Sequence, residues 1–192
     1  MPQDLPFLSG LARLRLSGEV DVASFECNPE VDWFLREAAC EYQDGLITAV
    51  MCWLRDGTPL GYVSTHVETV KIDSSPQRSG LGLSRFLKRK DGQIRENFPA
   101  LKIGMLGVSK SCRRRGLAKH MIQFVIGQAR SLSKEVGCRF VTVDSDQTEE
   151  ARGLYGSVGF KKVDRKQDNR ETDLLYFDLA SLRRAEVPTV ER

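Results

Sequence analysis

With 192 residues, the chain is long enough for one well-filled core and short for two, so residues 1–192 are expected to form a single domain. Its 29 Lys and Arg against 26 Asp and Glu leave a net charge of +3, too slight for bulk charge alone to call for nucleic acid. The five cysteines (Cys27, Cys40, Cys52, Cys112, Cys138) are odd in number and form no C-x-x-C pair, and no apolar run approaches a membrane span. A disulfide framework, a metal site and a membrane protein are thus disfavoured, and a cytoplasmic protein with reduced thiols is expected.

Asn28-Pro29 offers a helix start, after which Val31, Phe34, Leu35, Ala38, Ala39 and Tyr42 recur at helical spacing until Gly45. In LITAVMCWLRDGTPLGYVSTHVETVKI, Asp56-Gly57 separates two apolar, β-branched runs, which predicts a hairpin of antiparallel strands. Residues 74–99 are basic and punctuated by glycine, an insert with one short helix expected around Leu83 to Arg89. ALKIGMLGVS reads as a buried strand. Behind it, Leu117, Met121, Phe124, Val125, Ala129 and Leu132 trace one face of a long helix. CRFVTVDSD supplies the next strand, Thr148 caps a short helix through Glu149, Ala151, Leu154 and Tyr155, and GFKKV begins another strand. TDLLYFDL closes the sheet, and the charged tail 183–192 is expected to be a mobile end.

The stretch with chemistry in it is KSCRRRGLAKHM, where Arg113, Arg114 and Arg115 precede Gly116 and the long helix begins at once. A helix N-terminus exposes backbone N–H groups and the positive end of the macrodipole. Gly116 lets an anion come close, Ala118 does not crowd it, and guanidiniums can fork onto phosphate oxygens. Together they describe a pyrophosphate cradle. In isolation an R-x-x-G-x-A pattern is more often a solvated basic helix start, so the context decides.

That context resembles motif A of the GNAT superfamily of N-acetyltransferases: Leu106 and Val108 match its strand, and Arg113, Gly116 and Ala118 its signature residues. Downstream, ARGLYGSVGF resembles motif B through Ala151, Tyr155, Gly159 and Phe160, and the likeness runs from about Leu46 to Leu179. The resemblance implies an α+β fold, an α/β/α sandwich whose central mixed, mostly antiparallel sheet is flanked by helices, with a V-shaped splay between the two central strands. It implies acetyl-CoA as co-substrate in that splay. The pyrophosphate would lie on the N–H groups of Arg113, Arg114, Arg115, Gly116, Leu117 and Ala118. The backbone of Leu106, Gly107 and Val108 would hold the pantetheine and polarise the thioester carbonyl. Tyr155 matches the tyrosine that protonates the departing thiolate. Thr148 stands where the family often has asparagine. No general base stands out: His120 reads as a surface or packing residue, and His66 and Glu68 alternate on a strand that either borders the acceptor cleft or is simply exposed.

A narrower resemblance concerns the acceptor. FECNPEVDWFLREAA, followed by GYVSTHVETVKI, is similar to the opening of bacterial GNAT toxins through Phe25, Glu26, Cys27, Phe34, Leu35, Gly61 and Tyr62, with Asn28 where those toxins carry glycine. It implies acetylation of aminoacyl-tRNA and a small antitoxin partner, and it leaves a homodimer open. The basic insert offers Arg78, Arg85, Lys88, Arg89 and Lys90 beside Phe86, with Lys88, Arg89 and Lys90 the candidates for a tRNA backbone and a solvated lysine-rich helix the alternative. An N-acetyltransferase for a small-molecule or protein amine, and a non-catalytic acetyl-CoA-binding module, stay open as other readings.

Overall fold

The computed structural model describes residues 6–86, 96–164 and 171–185. Among them are the strands β1 (Ala12–Arg15), β2 (Ala49–Arg55), β3 (Thr58–Lys71), β4 (Asn97–Val108), β5 (Phe140–Asp146), β6 (Lys161–Lys162) and β7 (Thr172–Asp178). They form one sheet in the order β1-β2-β3-β4-β5-β7-β6. The helices are α1 (Pro29–Trp33), α2 (Ala39–Asp44), α3 (Ser75–Gly80), α4 (Leu117–Glu135), α5 (Glu149–Val158) and α6 (Ala180–Ala185). This is the expected α+β arrangement of a mixed sheet flanked by helices. The pairs β1–β2, β2–β3, β5–β7 and β6–β7 are antiparallel.

Local chemistry accounts for most boundaries. Asn28 Oδ1 accepts from Val31 N at 2.9 Å and Pro29 takes the first turn of α1, where its missing N–H costs nothing. The helix passes through a π-helical stretch, Phe34–Ala38, into α2. Gly45 ends it at φ −72°, and the left-handed position falls on Leu46 (φ 58°). The β2–β3 turn has positive φ at both Asp56 (50°) and Gly57 (79°), the handedness that matches a twisted hairpin. Thr148 Oγ1 accepts from Ala151 N at 3.3 Å, the expected cap of α5. The buried face of α4 adds Ile122 and Ile126 to the residues the periodicity marked, while Phe124 is half-buried.

The chain divides into two compact units, residues 1–66 with 103–125 and residues 67–102 with 126–192. The first has its core around Phe25, Phe34, Leu35, Val50, Cys52 and Tyr62. Tyr62 is fully buried and donates its hydroxyl to Val31 O at 2.7 Å, with its ring edge-on to Phe25 and stacked on Phe34. Burial, seconded by nearby acidic groups, pushes its phenol above the ordinary range. The second unit packs Val70, Ile72, Leu83, Phe98, Phe140 and Tyr176, with Phe140 edge-on to both Phe98 and Tyr176.

Several expectations change. Strand β1 has no counterpart in the sequence reading. Of the helix expected at Leu83 to Arg89, the described part holds a 3-10 turn at Ser84–Phe86, and 87–89 lie outside the described residues; ahead of it stands α3, not foreseen, with Pro76 in its first turn and a Ser74 cap. Arg78 does not belong to a basic surface strip. It is 6% exposed, donates to Ile72 O at 2.9 Å and meets Glu96 at 3.4 Å. TDLLYFDL forms β7, but it lies inside the sheet, and β6 is the edge. Of the tail, 183–185 belong to α6, whereas 186–192 and the candidates Lys88, Arg89 and Lys90 lie outside the described residues.

A β-carbon at Gly107 would stand 2.6 Å from Val31 Cγ1 and 2.8 Å from Tyr62 Cε1. Gly107→Ala is therefore expected to destabilise the fold by about 1–3 kcal/mol, the usual result of overpacking a filled core. Denaturant unfolding measures it as a lower midpoint at unchanged slope.

Candidate active site

The loop between β4 and α4 is where the structure gathers groups suited to an anion. A 3-10 turn, Lys110–Cys112, leads to an extended Arg113, a left-handed Arg114 (φ 58°) and a left-handed Gly116 (φ 83°). A non-glycine residue at positive φ is uncommon, and such positions cluster where backbone N–H groups must be aimed. The first internal bond of α4 runs from His120 N to Gly116 O at 3.0 Å. The N–H groups of Leu117, Ala118 and Lys119 thus precede the helical ladder, at the positive end of a 19-residue helix. This donor set suits a diphosphate, whose oxygens need several N–H donors from one direction.

The three arginines have separate surroundings. All are exposed. Arg113 donates from Nη2 to Cys27 O at 2.9 Å, and Arg115 lies over the Phe7 ring at 5.0 Å. The loop is also held by its backbone: Lys110 N donates to Glu26 O at 2.7 Å and Ser109 N to Leu60 O at 2.9 Å. The segment Phe25-Glu26-Cys27, singled out by resemblance, is thereby the loop's anchor, with Arg36 donating to the Phe25 carbonyl from α2's approach. Gly61 lies against the same region, since a β-carbon there would come 3.1 Å from Gly107 O, Leu117 Cδ2 and Met121 Sδ. Leu106 and Val108 are half-buried on β4 and Gly107 is buried. No spacing signal in the sequence pointed to the links of Arg113 with Cys27, 86 positions away, or of Arg115 with Phe7.

Tyr155 belongs to the second unit. It sits on α5 with 6% exposure, edge-on to Phe160, whose N–H donates to the Tyr155 carbonyl at 3.1 Å. Burial, with the charge of Asp146 added, drives its phenol well above the ordinary range. The shift makes the phenol a weaker acid than an exposed tyrosine, which is itself protonated at neutral pH.

The remaining candidates have structural ties. His120 is half-buried and edge-on to Trp53, and burial together with Arg13 lowers its pKa, in keeping with a packing residue. Glu68 is not a bare strand residue: it accepts from Thr142 and meets Lys102, which holds Asp144 at 2.6 Å. Burial works against the charge on Lys102, but its acidic partners outweigh it and raise the pKa. The five cysteines are free thiols. Among the described residues no group of His, Cys, Asp and Glu could hold a metal, and no helix is long and apolar enough to cross a membrane.

These elements match a known family. The model of the acetyltransferase (GNAT) family fits residues 16–160, so the chain belongs to the GNAT acetyltransferases. No curated protein sequence matches the chain. Among solved structures, it is similar to AtaT complexed with acetyl-methionyl-tRNAfMet (TM-score 0.77, 20% identity, 92% of this chain and 99% of that one). A tyrosine-to-phenylalanine mutant of KacT gives a TM-score of 0.73 at 19% identity, over 92% of this chain and 99% of that one. AtaTR bound with AcCoA gives 0.72 at 20% identity, over 93% and 99%. At such identities the likeness is one of fold.

Gly116→Asp places a side chain at φ 83° and a negative charge beside the loop's N–H groups. Calorimetry is expected to show acetyl-CoA binding lost, while the far-ultraviolet circular dichroism of the variant stays that of the parent protein.

Proposed function

We propose that the chain is an acetyl-CoA-dependent N-acetyltransferase that acetylates the amino group of aminoacyl-tRNA, acting in the cytoplasm as the toxin of a toxin–antitoxin pair. The observation that carries the reading is the β4–α4 loop, whose backbone is suited to an anion and is tied by Glu26 and Cys27 to the toxin-like N-terminal segment. The choice of acceptor is supported by relatives in fold: AtaT was solved with acetyl-methionyl-tRNAfMet, and a tyrosine-to-phenylalanine mutant of it with the C-terminus of the antitoxin AtaR and acetyl-CoA.

Acetyl-CoA, when bound, supplies the activated acetyl group and a thiol leaving group. The N–H groups from Arg113 to Ala118 bind its diphosphate, and Arg115 adds charge. The backbone of Leu106, Gly107 and Val108 orients the pantetheine and offers donors to the thioester oxygen, where negative charge develops in the transition state. Tyr155 holds a proton on its hydroxyl and gives it to the departing sulfur. Burial keeps that hydroxyl protonated, as an unshifted tyrosine's would also be at neutral pH, so the role is proposed from its place in motif B and not from the shift. Arg85, with its guanidinium over the Phe86 ring, and the neighbouring Lys88, Arg89 and Lys90 follow the tRNA backbone.

Two measurements test this. Tyr155→Phe is expected to keep acetyl-CoA affinity and lower turnover by about 10²- to 10⁴-fold, the range for a lost proton-transfer group; a loss under about threefold would make the tyrosine structural. Acetyl transfer to charged tRNA at two salt concentrations should show K88E/R89E/K90E impaired through KM, with acetyl-CoA affinity intact and a smaller deficit at high salt. Equal rates for parent and variant at both salts would replace the tRNA reading with that of a small-molecule or protein amine.

A further inference from the structure

Phe7 is in a 3-10 turn, Pro6–Leu8, ahead of the edge strand β1. Its ring meets two guanidiniums, Arg115 at 5.0 Å and Arg55 at 4.7 Å, and its carbonyl accepts from Arg55 Nη2 at 2.5 Å. Arg55 ends β2 beside the Asp56-Gly57 turn, and Arg115 stands in the β4–α4 loop. One aromatic face system thus holds two like charges from distant parts of the chain. Among the described residues neither guanidinium meets a carboxylate.

Gathering two cations without a counter-ion is unfavourable by Coulomb repulsion, and the ring offsets only part of that through its quadrupole. An exposed salt bridge would be the simple way to steady a surface arginine. Arg115 instead meets the ring, and among the described residues no hydrogen bond or ion pair takes up its N–H donors. A planar guanidinium held by its face and open along its donors is prepared for a forked contact with phosphate oxygens. The repulsion between Arg55 and Arg115 is relieved when such an anion arrives. Arg113 instead donates from Nη2 to Cys27 O, as Arg55 does to Phe7 O, and does not meet the Phe7 ring.

We infer that Phe7 is a positioning residue for coenzyme binding: with the Arg55 and Arg115 guanidiniums both over its ring, it presents them to a phosphate of the acetyl donor. The inference rests on the reading of the β4–α4 loop as the coenzyme's diphosphate site. Coenzyme A carries a phosphomonoester as well as a diphosphate, and either supplies the oxygens that this pair would take.

Calorimetric titration of coenzyme A and of 3′-dephospho-coenzyme A into the full chain and its variants tests it. Phe7→Leu keeps an apolar side chain and removes the aromatic face; it should weaken coenzyme A binding about fivefold, the scale of an exposed cation–π contact, with the unfolding temperature unchanged. Phe7→Trp should bind as the parent does. Arg55→Met should weaken binding similarly, and Phe7→Leu combined with Arg55→Met should be no worse than either alone, because the three groups act as one unit. A loss confined to coenzyme A assigns the phosphomonoester, and an equal loss for both ligands assigns the diphosphate. Unchanged affinity in Phe7→Leu, or a Phe7→Trp variant as weak as Phe7→Leu, overturns the inference. So does weakened acetylation of charged tRNA at full coenzyme A affinity, which would assign the ring to the polynucleotide. A parent protein that binds neither ligand defeats the loop reading itself, a different failure from a parent that binds and a Phe7→Leu variant that binds equally well.

Discussion

Backbone carbonyls of the N-terminal segment hold the β4–α4 loop in place, and much of the first unit follows from that hold. Glu26 O takes the Lys110 N–H and Cys27 O the Arg113 guanidinium, while Leu60 O takes the Ser109 N–H from the neighbouring strand. For those carbonyls to reach, Phe25, Val31 and Tyr62 must lie directly on β4, and they do so only because Gly107 has no β-carbon to keep them off. The hydroxyl of Tyr62 then closes the arrangement on Val31 O. Preorganised donors are effective because they need not be rearranged when charge arrives, and a loop fixed at three points satisfies that condition.

The run of three arginines shows how little identical side chains share once the backbone has set their directions. Arg113 turns inward to a carbonyl, Arg114 occupies a left-handed conformation, and Arg115 rests on an aromatic ring. Three cations in a row on one surface would repel each other and any fourth. Separated by extended and left-handed backbone, they serve as tether, hinge of the turn and open donor.

What the sequence made legible was what local chemistry decides. The Asn28 cap, the Asp56-Gly57 turn, the Thr148 cap and the apolar face of α4 each involve groups within a few positions of one another, and each appeared where spacing placed it. Strand β1 was not legible because Ala12–Arg15 is exposed throughout, so no alternation betrays it; its partners on β2 are about forty positions away. Arg78 misled because an arginine counts as surface until a carbonyl such as Ile72 O and a carboxylate such as Glu96 meet it inside. Of the candidate site, the glycine and the helix start were readable as an anion loop. The partners of Arg113 and Arg115 were not, since contacts across such separations leave no periodicity. Tyr155 was placed by likeness of motif, and its raised pKa arises from burial, a property of the folded chain alone.

The ends of the sheet limit how this protein can meet others. An exposed strand edge is an open row of N–H and C=O groups onto which a foreign strand can zip, and long apolar edges invite it. Here the outermost strands among the described residues are four residues (β1) and two residues (β6) long, and they carry Arg13 and Arg15 on one side and Lys161 and Lys162 on the other. Each edge is too short for a stable added ladder and bears charges that an incoming strand would have to accommodate. A protein partner that engages this chain therefore gains little by sheet extension, and its purchase must come from helices and loops.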